Sequence, residues 1–111
     1  MADAFPRLVA EIDRLLKLSD PGHPLVGAVG GLRYHGRCTC TQTCNNILTA
    51  PMGSAGPCLA QLEREGADVI WLSLDPTCTT VVDIEVLNPT GLDVNSAANE
   101  KLAFPQPASN A

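Results

Sequence analysis

Residues 68–87 read DVIWLSLDPTCTTVVDIEVL, and this stretch decides the fold class. Asp68–Leu74 is a near-continuous apolar run, as a central strand requires. Asp75-Pro76-Thr77-Cys78 supplies turn residues. Thr79–Leu87 then returns with a period of two, which predicts Val82, Ile84 and Val86 on one face and Asp83 and Glu85 on the other. The pattern is that of an antiparallel hairpin with one face turned inward.

The element to cover that face stands at the other end of the chain. Phe5, Leu8, Ile12, Leu15 and Leu16 recur at steps of three and four, the stripe of an amphipathic helix. Asp3 is the expected N-cap, Pro6 suits a first turn, and Ser19-Asp20-Pro21-Gly22 stops the helix. Short strands are predicted around Leu25–Val29 and Leu32–Tyr34, broken by glycines. Pro57 before CLAQLERE and Gly66 after it predict a short second helix over 57–65. The expected architecture is α+β: an N-terminal amphipathic helix packed on a small, mainly antiparallel sheet of about four strands, capped by the second helix. Residues 1–99 make one domain, and 100–111 a loose, polar C-terminal tail.

Charge divides the chain. Residues 1–64 balance at +1 and residues 65–111 at −6, within a net charge of −5. An acidic surface repels phosphate backbones and anionic lipid heads, so no direct nucleic-acid or membrane partner is expected, whereas a protein with a basic surface is. No apolar run approaches the roughly 20 residues of a membrane span. The N-terminal MADAFPRLVAEIDRLLK has no signal-peptide pattern and reads as part of the fold. Five cysteines, an odd number without a secretion signal, are expected as reduced thiols in the cytoplasm.

Three of those cysteines lie in CTCTQTC, residues 38–44. In an extended chain Cys38, Cys40, Gln42 and Cys44 share one face while Thr39, Thr41 and Thr43 share the other. Inert core thiols, with no cofactor, are the first expectation. The alternative is a zinc site of Cys38, Cys40 and Cys44, with His35 as fourth ligand or else the remote Cys58 or Cys78; the paired CxxC knuckles of structural zinc sites are missing. A redox pair, Cys40 with Cys44, is the third reading.

Catalytic signals are sparse. His23 and His35 are the only histidines, and neither GxSxG nor HExxH occurs. GAVGG at 27–31 lacks both the GxGxxG spacing and the Lys-Ser/Thr of a phosphate loop. The function expected from the sequence is therefore a small non-enzymatic interaction protein, an accessory, immunity or inhibitor-type module. It would bind another protein through its acidic half, with Asp83 and Glu85 as the contacting acids. The alternative is a small zinc-binding domain organised by the cysteine cluster.

Overall fold

In a computed structural model, which describes residues 1–41, 44–92 and 94, the central hairpin forms as the pattern predicts. Helix α1 spans Pro6–Ser19; strands β1 (Ile47–Leu48), β2 (Leu59–Arg64), β3 (Ala67–Leu74) and β4 (Val81–Val86) follow. The four strands make one antiparallel sheet in the order β1-β4-β3-β2. Helix α1 lays Leu8, Ile12, Leu15 and Leu16 on its inner face, where Ile70, Leu72 and Ile84 are fully buried. The expected tail lies outside the described residues.

Asp3 does not cap the helix. Phe5 holds the N-cap position without a side-chain cap, and Pro6 opens the first turn, where its missing N–H leaves one fewer donor to satisfy. The Phe5 ring is buried and meets Tyr34 edge-on, centroids 5.1 Å apart. At the far side, Glu11 accepts from Arg14 and from Arg64, so one carboxylate joins α1 to β2. The hydrogen bond from Arg14 leads the effects that hold its pKa below the ordinary value.

Two expected elements take other forms. Residues 25–34 are not strands: 25–28 are turns, Val29–Gly31 is a single 3-10 turn and 33–34 are irregular, with Val26 donating to His23, Ala28 to Leu25 and Leu32 to Val29. Each i to i+3 bond satisfies the backbone locally, and Leu25 and Val29 reach the core from this coil. The second helix is a strand, β2. Glu65 and Gly66 both have positive φ, 56° and 82°, which makes them a two-residue hairpin turn rather than a helix terminus. Arg64 pairs with Ala67, and cross-strand pairing overrides the helical propensity of CLAQLERE.

Val82 is a third departure. Leu74 pairs with Val81 and Ser73 with Asp83, so Val82 is an extra residue in a β-bulge. The inward set in β4 is consequently Val81, Ile84 and Val86, while Val82 is buried outside the main core, beside the loop that carries Met52. That loop, 49–56, is anchored at both ends. Thr49 donates from its N–H to the Val82 carbonyl (3.0 Å) and from its hydroxyl to the Val81 carbonyl (2.6 Å). Gly56 donates to the Leu74 carbonyl at 2.7 Å.

The expectation of five reduced thiols fails for two. Cys58, just before β2, and Cys78, in the β3–β4 turn, form a disulfide. Once β2 is a strand beside β3, the turn that follows β3 lies next to the residue that precedes β2. Asp75 shapes this turn, its carboxylate accepting from Thr77, Thr79 and Thr80.

Closing the 20-residue separation restricts the unfolded chain, so the Cys58→Ser/Cys78→Ser double variant should lose about 3 kcal/mol in denaturant unfolding. A loss near zero would show that the bond adds nothing to the native hairpin. At Gly56 an added Cβ would lie 2.4 Å from the Pro76 Cα and 2.7 Å from the Asp75 carbonyl oxygen. Both are backbone atoms, so Gly56→Ala should cost about 2 kcal/mol, read as a lowered unfolding midpoint.

Candidate metal centre

The cysteine cluster is built on a short ladder beside β1. His35 donates to the Leu48 carbonyl, Leu48 to Gly36, and Cys38 to Asn46, with Arg37 bridged to Ile47. β1 in turn pairs Ile47 with Ile84 and Leu48 with Asp83 of β4. Cys38 is thus fixed by main-chain bonds that trace back to the centre of the sheet. The extended alternation expected for 38–44 ends there, since the chain bends after Cys38 and folds back. The Cys44 N–H donates to the Thr41 hydroxyl at 3.0 Å.

This return brings the three sulfurs of Cys38, Cys40 and Cys44 within 4.8 Å of one another. They differ in burial. Cys38 is buried at 6% exposure, Cys44 is intermediate and Cys40 is exposed, so the inert-core reading suits Cys38 alone. All three are free thiols in this structure, and the expected Cys40–Cys44 pair is not bonded. The cluster lies close enough to hold a metal ion.

Expected ligands beyond these three are placed elsewhere. His35 is exposed and falls outside the mutual 4.8 Å group. Positions i and i+3 of an extended segment face opposite ways, which separates His35 from Cys38. Cys58 and Cys78 are joined to each other. The sequence reading passed over one donor: the Cys38 thiol points at the Met52 thioether, 3.8 Å from sulfur to sulfur. Met52 lies in the anchored loop, 56% exposed. No local signal marked it, because it lies fourteen positions further along the chain than Cys38, with a strand between them.

Arg37 holds the loop from behind. It donates to the Asn45 carbonyl (2.7 Å) and to the Val94 carbonyl, and its guanidinium stands 5.5 Å from the Phe5 ring centroid. A cavity of about 510 Å³ opens beside it, lined in part by Cys44, Asn46 and Glu85. Asp83 and Glu85, the acids expected to contact a partner, are both half-buried on the outer face of the sheet. Burial pushes the Asp83 carboxyl above its ordinary pKa, although Asn46 donates to it at 2.9 Å.

The thiols also act on each other. The Cys40 backbone N–H, then the Cys40 thiol, hold the Cys38 pKa below that of a free thiol. Cys40 is pushed the other way, up to about 11, chiefly by its hydrogen bond to Cys38. One negative charge is favoured at this site, and a second one is resisted.

No family model, curated protein or solved structure matches this chain. Among the described residues no helix is long and apolar enough to cross a membrane.

In metal-free protein, alkylation of Cys40 by iodoacetamide should still be climbing as the pH passes the range of ordinary thiols, because its proton is held to about 11. Peptide mass spectrometry across a pH series reads this directly. A Cys40 profile that levels off at the pH of a free thiol would mean that the three sulfurs do not share a proton network.

Proposed function

We infer that this protein is a small metal-binding domain whose ion is held by the thiolates of Cys38, Cys40 and Cys44. The observation that carries the reading is their mutual approach to within 4.8 Å, from three burial environments, on a segment tied to the sheet at its buried end. Thiolates select thiophilic ions, and zinc is the first candidate, with sulfur-to-zinc bonds of about 2.3 Å. Three protein thiolates with an exposed member form a site open on one side. Such a site exchanges its ion more readily than a closed nest of four thiolates, as suits a domain that carries or senses metal.

Acidic steering toward a basic protein has less support. Asp83 is engaged by Asn46, and both acids of the pair are half-buried rather than presented to solvent.

Protein purified without chelator, or reduced and then offered zinc, should take up one ion per chain with loss of three titratable thiols. Cys38→Ser and Cys44→Ser should each abolish stoichiometric uptake, because a thiolate is lost from the three-member set. The Cys58→Ser/Cys78→Ser variant should keep it. Three fully reactive thiols in the presence of zinc, with no ion retained after gel filtration, would sink this reading.

A further inference from the structure

The sulfur donors do not end at the cysteines. The Cys38 Sγ to Met52 Sδ separation is 3.8 Å, and two ligands at about 2.3 Å from one tetrahedral ion lie about 3.8 Å apart. Cys38 is therefore the shared corner of two sets: the three thiols within 4.8 Å, and the thiol–thioether pair. The Met52 loop is held over this corner by the Thr49 bonds to Val81 and Val82 at one end and by the Gly56 bond to Leu74 at the other. Met52 itself is 56% exposed, and its sulfur already stands at the distance from Cys38 that a shared ion requires.

The chemistry of that fourth donor discriminates between ions. A thioether is a soft, uncharged ligand that favours monovalent copper, whereas zinc sites are completed by thiolate, imidazole or carboxylate. Among the described residues no histidine or carboxylate joins the group within the same distance. An all-sulfur set at an exposed edge, with one thioether, is the donor set of a copper(I) site.

We propose that the centre is a copper(I) site in which Met52 joins Cys38, Cys40 and Cys44 as a fourth sulfur ligand. This assignment rests on the metal-binding reading above and deepens it. Binding breaks the S–H bond of each protonated thiol and forms a copper–sulfur bond in its place, with the proton passing to solvent. The copper stays monovalent throughout, supplied under a reductant such as ascorbate.

The test is competition for copper(I) against bathocuproine disulfonate, run anaerobically with the Cys58–Cys78 bond intact, beside a zinc competition on the same protein. Met52→Leu should weaken copper(I) binding by about tenfold or more, since loss of even an outer-shell partner costs about 10–100-fold, and leave zinc affinity unchanged. Selenomethionine-labelled protein loaded with copper(I) should show selenium in the copper X-ray absorption spectrum, a readout independent of the variant's stability. Equal copper(I) affinity for Met52→Leu and wild type, or a copper spectrum without selenium, would overturn the proposal while zinc uptake kept the metal site itself. Failure of the wild-type protein to bind either ion would defeat both.

Discussion

The pairing of β3 with β4 is the constraint on which the rest of the molecule depends. Ile70 faces Val86 and Leu72 faces Ile84, so the hairpin presents one aliphatic surface to α1. The same ladder positions everything outside the core. β1 is only two residues long and has little stability of its own; it is held because Ile47 pairs with fully buried Ile84. Residues 35–38 are held by β1 in turn. Cys38 is thus tied to the centre of the core through β1 and β4, and a change that slips the β4 register moves the cysteine cluster with it.

The bulge at Val82 shows how local irregularity serves this arrangement. A regular β4 would place Val81 and Val82 on opposite faces and carry the period of two through Val86. The extra residue lets Val81 and Ile84 both face the core while Val82 is buried against the other face. Covering Val82 requires the 49–56 loop, and covering it brings Met52 to Cys38. A packing demand on one valine thus places a thioether beside a thiol.

Helix α1 and the central hairpin were legible in the sequence because each has a single strong period, 3.6 in one and near 2 in the other. CLAQLERE was not, for a physical reason. Leu59 and Leu62 are spaced for a helix, and although burial in β2 alternates, the outward Leu59 and the small inward Ala60 hide that period in the sequence. Its structure comes from β3 across the ladder and from Glu65-Gly66, a pair that reads equally as a helix end or a hairpin turn. The disulfide was hidden for the same reason, since Cys58 approaches Cys78 only when β2 is extended. With that bond formed, the premise of reduced thiols no longer covers the whole chain. The cluster itself was legible from spacing. Its geometry was not, because a bend after Cys38, rather than strand alternation, gathers the sulfurs.

The division of the five cysteines bears on what the cluster is for. Two close a covalent link across the hairpin, and the remaining three are held together without one. Holding three ionisable sulfurs within 4.8 Å favours one thiolate, on Cys38, and resists a second on Cys40. The rise of Cys40 to about 11 comes chiefly from its hydrogen bonds to Cys38 and Cys44, with repulsion between thiolates a smaller contribution. Protons relieve this crowding one charge at a time, whereas a metal cation relieves all of it at once. Cys38, buried and backbone-anchored, is the fixed corner of the cluster, and the exposed Cys40 and half-buried Cys44 stand around it. For an ion to bind there as proposed, the proton on Cys40 has to leave, so uptake would be coupled to proton release and would strengthen as the pH rises.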